Sequence, residues 1–144
     1  MNVARLYTRE VVRIPRSSSI GEAASLMASR DVGFLLVVDD APADRQALGV
    51  VTDRDLVVGA LAEGLGPDDA TVADVMKKKI DTVPAGADLH EALGLMKLGG
   101  HRRLAVTDDS GRIDGVLSID DVVDGLAADL AGAAAILRVE RVPA

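Results

Sequence analysis

A chain of 144 residues with 49% apolar content can form one compact domain or two small, closely packed halves. Its formal charge of −7 excludes a general nucleic-acid surface, which needs a basic field. The absence of cysteine excludes a disulfide framework and thiolate chemistry, and the near absence of aromatic residues leaves the core to Val, Leu, Ile, Ala and Met.

The opening stretch "MNVARLYTREVV" lacks the apolar run of a signal peptide, and no later run approaches the length of a membrane span. With no cysteine, this leads to the expectation of a cytoplasmic protein with no membrane contact. A short helical segment is predicted over 3–7, then a brief extended piece ending near Pro15. An amphipathic helix over 19–30 follows, with Ser19 and Glu22 spaced as N-cap and N3 acid. Strands are predicted over 34–38 and 47–51, joined by the polar turn "DDAPADRQ". A helix over 53–63 opens in "GVVTDRDLV", and "EGLGPDDAT" (63–71) is a short turn-rich connector.

The chain then repeats itself. At an offset of 69, residues 3–40 lie over 72–109, and the register resumes at 66 through "GVLSIDDVV" (115–123). The second copy therefore predicts a helical segment over 72–76, an extended piece ending near Pro84, and a helix over 88–98 started by Asp88 and Glu91. Strands over 103–107 and 113–117 and a helix over 119–130 follow. The fold class is α/β, two β-α-β-β-α motifs. One three-stranded sheet cannot bury both faces alone, so the copies are expected to pack sheet to sheet with pseudo-two-fold symmetry and matching clefts. The expected divisions are 1–66, 67–131, and an Ala-rich, partly helical tail over 132–144.

Each copy carries a hydroxyl–x–x–acid motif where a strand meets a helix, Thr52 with Asp55 and Ser118 with Asp121. Such a pair can be a capping box and nothing more. Two details point further. The other helix of each copy uses the longer Glu at this position, and both motifs fall at the carboxyl end of a strand, where α/β sheets bind ligands. A fixed Asp there can accept both hydroxyls of a ribose. Capping and binding are compatible, and both stay open.

The stretch "VADVMKKKIDTVPAGADLHEALGLMKLGGHRRLAVTDDSGRIDGVLSIDDVV" (72–123) and its counterpart over 3–57 resemble the CBS motif. The duplicated chain resembles a stand-alone CBS domain pair, or Bateman module, over residues 3–131. The resemblance implies two clefts for adenosine-containing ligands such as AMP, ADP, ATP, NAD or S-adenosylmethionine. It carries the ribose-holding role to Asp55 and Asp121, with Thr52 and Ser118 beside them. Residues before the first hairpin strand would reach phosphate: Arg102 and Arg103 in the second copy, but Gly33 and Phe34 in the first. Segments at Ile14 and Val83 would line an adenine slot. Arginine suits phosphate because its planar fork binds two oxygens. The Asp121 cleft is therefore expected to be the better nucleotide site and the Asp55 cleft weaker or empty, with Arg54 as its available cation.

Other candidates carry less. Lys77, Lys78 and Lys79 read first as a solvated run, with phosphate contact near the cleft as the lesser alternative. "HEALGLM" lacks the second His of a zinc helix, so the metal reading of His90 fails, and His101 beside Arg102 reads first as a surface residue, with help in neutralising a phosphate as the alternative. Met27, Met96 and Phe34 read as packing. No nucleophile or acid–base constellation emerges, so an enzyme is not expected. The expectation is a ligand-sensing regulatory module without an obligatory cofactor, forming a homodimer through its outer helices and acting on an effector protein in trans. The alternative is a constitutive dimerisation scaffold with vestigial clefts.

Overall fold

The computed structural model describes residues 1–41 and 46–140; residues 42–45 of the first hairpin turn and the last four residues of the expected tail lie outside them. The strand order is β1 (Arg13–Pro15), β2 (Phe34–Val38), β3 (Ala47–Thr52) in one sheet and β4 (Thr82–Pro84), β5 (Arg103–Thr107), β6 (Ile113–Ser118) in the other. In each sheet the first strand runs parallel to the second and the third returns antiparallel. A parallel neighbour requires a crossover. Helix α1 (Ile20–Arg30) supplies it in the first copy, and helix α4 (Leu89–Gly99) in the second. The remaining helices are α2 (Asp53–Gly59), α3 (Val72–Val75) and α5 (Ile119–Glu140). Among the described residues no helix is long and apolar enough to cross a membrane.

Helix starts follow local chemistry. Ser19 accepts from the Glu22 amide at 3.0 Å while the Glu22 carboxylate accepts from the Ser19 amide at 3.3 Å, the reciprocal box read in the sequence. The Asp88–Glu91 pair is different: Asp88 makes no capping bond, and its carboxylate lies 3.9 Å from the Met1 amino group. The Leu89 amide donates to the Met1 carbonyl at 2.9 Å, as the Ile20 amide of α1 does to the Ala70 carbonyl at 3.1 Å. Two ends depart from expectation. Helix α2 stops at Gly59 and passes through a 3-10 turn, Leu61–Glu63, into left-handed Gly64. Helix α5 runs without a break through the region expected to be a separate tail, because its Ala-rich sequence favours helix at almost every position.

The chain forms two compact units. One is Val11–Ile80; the other joins Met1–Glu10 to the chain from Asp81 onward. The leading segment of each copy is thus exchanged. Val72 is fully buried in the first unit with Ile14, Ala23, Met27, Leu35, Val37 and Val51. Val3 is fully buried in the second with Val83, Leu89, Met96, Leu104, Val106 and Leu117.

Backbone pairing fixes the exchange. The Lys77 and Val50 amides and carbonyls bond reciprocally at 2.8 and 2.9 Å, and Thr8 does the same with Val116 at 3.0 Å both ways. Gly49 and Gly115, the first residues of the repeated motifs, make room for this crossing. A Cβ on Gly49 would strike the Lys77 carbonyl, and one on Gly115 the Thr8 carbonyl and the Tyr7 ring. The Tyr7 hydroxyl donates to Asp114 Oδ2 at 2.6 Å. That bond, followed by desolvation, raises the Tyr7 pKa above its ordinary value.

Two outcomes are expected. Gly115→Ala lowers stability by about 1–3 kcal/mol through overpacking, whereas Gly94→Ala, in open space on α4, raises it by about 0.5–1 kcal/mol; paired denaturant melts measure both. Tyr7 is the sole tyrosine and tryptophan is absent, so phenolate absorbance reports it alone. A raised folded-state pKa means the Tyr7 contribution is intact below about 10 and lost as pH rises through the folded value. The absorbance midpoint should lie above about 10 and fall back in Asp114→Ala.

Candidate functional site

Each unit brings its hydroxyl–x–x–acid motif to the end of its last strand. In the first, Thr52 ends β3 and caps α2. Its Oγ1 accepts from the Asp55 amide at 3.2 Å, and Asp55 Oδ2 accepts from the Thr52 amide at 2.9 Å. In the second, Ser118 ends β6 and stands before α5. Its Oγ accepts from the Asp121 amide at 3.1 Å, and Asp121 Oδ2 accepts from the Ser118 amide at 3.1 Å. Both motifs are therefore capping boxes. Each carboxylate spends one acceptor site on its own backbone, and a carboxylate has about four.

The two corners differ in what surrounds the acid. Asp55 is 9% exposed, and its Oδ1 lies 3.6 Å from the Lys77 ammonium. Lys77 arrives because its segment returns to pair with β3; at the same place beside β6 stands neutral Thr8. The sequence reading gave the first corner Arg54, which is exposed; the structure adds Lys77, whose side chain is solvated as read, 51% exposed, while its ammonium reaches Asp55. Asp121 is more open, and among the described residues no cation lies within ion-pair distance of it.

Across the hairpin, cross-strand partners share a sheet face with Cβ atoms roughly 5 Å apart. Phe34 is opposite Thr52, and Arg103 is opposite Ser118. Phe34 is buried and Arg103 partly exposed, so the apolar-versus-arginine contrast between the copies exists in three dimensions. Arg102 is mostly exposed, its Nη2 3.8 Å from Asp120 Oδ1. Ile14 and Val83 are the middle residues of β1 and β4, with side chains 3% and 0% exposed in the two cores; the flanking Arg13, Pro15, Thr82 and Pro84 are exposed. His101, read as a surface residue, has its Nε2 2.7 Å from Asp81 Oδ2.

With this geometry in hand, the chain matches the CBS domain family model twice, over residues 3–60 and 72–128. An uncharacterized protein of Methanopyrus kandleri is 28% identical over 123 residues, 85% of this chain and 61% of that protein. The chain thus spans less than two thirds of that relative. Among solved structures, an uncharacterized conserved protein from Pyrococcus horikoshii matches with a TM-score of 0.79 at 25% identity, covering 86% of this chain and 90% of that one. A CBS domain protein from Pyrobaculum aerophilum, solved in complex with AMP, matches with a TM-score of 0.73 at 27% identity, covering 84% and 89%. Two matches of the family model, on two copies with the same strand order and the same capped strand ends, make this chain a member of the CBS domain family with tandem motifs.

Proposed function

We propose that the protein is a regulatory module that binds an adenosine-containing nucleotide at its strand-end corners and acts on a partner protein in trans. The observation that carries this reading is the second corner. An accessible Asp121 stands beside Ser118, and Arg103 faces that serine across the hairpin. The acid keeps acceptor sites for ribose hydroxyls, and Arg102 and Arg103 supply bidentate donors for phosphate. The AMP complex of the Pyrobaculum aerophilum relative supports the ligand class. ADP, ATP, NAD and S-adenosylmethionine share the adenosine portion and belong to the same panel. Ile14 and Val83 would contribute only their strand backbones, since their side chains are in the cores. Asp55 is buried and faced by Lys77, so Thr52, Arg54 and Asp55 form the weaker corner.

Ligand occupancy shifts an equilibrium only by its differential affinity for two arrangements, so the output follows from whichever arrangement AMP prefers. A second reading, a constitutive scaffold, is favoured by the closed capping boxes, which give both acids a structural role without any ligand. Association with a second copy fits either reading. Along α5, Val123, Leu126, Leu130 and Leu137 are 56%, 45%, 72% and 58% exposed, at three-, four- and seven-residue steps that place them on one helical face.

Two measurements test this. Melting with AMP, ADP, ATP, NAD and S-adenosylmethionine should show stabilisation of about 2.7 kcal/mol at one hundred times the dissociation constant. Asp121→Ala and Asp55→Ala should each lose about 1 kcal/mol from the cap, but only Asp121→Ala should abolish most of the ligand shift. Equal loss of the shift in both variants contradicts the ranking, and no shift in the wild type favours the scaffold. Light scattering should give the mass of a dimer, falling to a monomer in the Leu130→Lys/Leu137→Lys variant; an unchanged mass removes α5 as the contact.

A further inference from the structure

The two copies share a backbone arrangement at the turn that enters the middle strand. Helix α1 ends at left-handed Asp31 and α4 at left-handed Gly100. The next residue, Val32 or His101, donates its amide to Met27 or Met96 at 3.1 or 3.0 Å. The residue after that, Gly33 or Arg102, accepts from the first helical amide of α2 or α5 at 3.1 or 2.8 Å. Just before the edge strand, the Val12 or Asp81 carbonyl accepts from Leu36 or Ala105 at 2.9 or 3.0 Å. Position for position, the repeat therefore places Val12 with Val32 in the first copy and Asp81 with His101 in the second.

The side chains at these positions differ in kind. Val12 and Val32 are partly buried and pack onto the first core. Their counterparts are a hydrogen-bonded pair, His101 Nε2 to Asp81 Oδ2 at 2.7 Å, with side chains 35% and 25% exposed. A carboxylate only accepts, so Nε2 carries the donated proton. The imidazole also lies against Gly99, where a Cβ would come within 2.6 Å of its ring. The ring is thus held by α4 on one side and by the strand carrying Val83 on the other.

We propose that the His101–Asp81 pair is a positioning latch that aims Arg102 and Arg103 and so gives the second corner its preference for phosphate-bearing ligands. The pair lies immediately before the two arginines and ties their turn to β4. A polar latch keeps its directional bond beside water and an anion, where a valine contact has none. The first corner, with valines and no arginine at these places, has nothing to aim. This rests on the nucleotide reading of the second corner.

The experiment compares AMP with adenosine by calorimetry. In the wild type AMP should bind more tightly than adenosine. The Asp81→Val/His101→Val variant copies the first repeat; it should lose about tenfold in AMP affinity, keep its adenosine affinity, and melt close to the wild type. His101→Gln, which keeps a donor, should retain the AMP preference. If the double variant fails to fold, His101→Ala gives the same reading. Unchanged AMP preference in the double variant or in His101→Ala, or equal loss of AMP and adenosine, would overturn the latch and leave the nucleotide reading standing. Absence of binding by the wild type would overturn the nucleotide reading and the latch together.

Discussion

The close passage of each leading segment over a glycine governs the rest of this structure. Strands β3 and β6 are last in their sheets and would otherwise offer an open edge. Lys77 and Thr8 pair with that edge, and Gly49 and Gly115 let the crossing backbone come near enough to do so. From this contact follow the burial of Val72 and Val3, the Tyr7–Asp114 bond, and the presence of Lys77 at Asp55. The glycine that opens "GVVTDRDLV" and "GVLSIDDVV" is therefore a packing requirement, while the hydroxyl and acid that follow are helix caps with acceptor sites to spare.

Duplication has kept the backbone and varied the side chains. Helix ends, turn bonds and strand registers correspond between the copies. What has changed sits around the capped acids: Phe34 against Arg103, Val12 and Val32 against Asp81 and His101, Lys77 against Thr8. Each change makes the second corner more polar at the hairpin and the first more closed at the acid. A partly exposed carboxylate, with an arginine facing its serine across the hairpin, suits a charged ligand; a buried one already facing an ammonium does not.

Much of this was legible because it is local. Helical spacing located α1 and α4, apolar runs located β2 and β5, and self-similarity revealed the two motifs. The Ser19–Glu22 box was readable from its spacing, yet the same spacing misled at Asp88, which makes no capping bond and whose carboxylate lies by the Met1 amino group, a neighbour from distant sequence. Lys77 was read as part of a basic run near the cleft, but its place at Asp55 depends on strand pairing that no window of sequence contains. For Ile14 and Val83, three-residue strands give too little alternation to say which way a side chain points. The tail past residue 130 was legible as partly helical from its alanines, but the sequence offers no mark that α5 runs into it without a break.

The exchanged leading segments also set an order of assembly. Residues 11–80 make a unit from one continuous stretch, and everything it needs has left the ribosome once Ile80 is clear. The other unit joins the first ten residues to a chain that starts at Asp81. During synthesis residues 1–10 must therefore wait, with Val3 and Tyr7 unhoused, until β6 is available to receive them. Residues 1–10 are made before the unit of residues 11–80 and find their place after it.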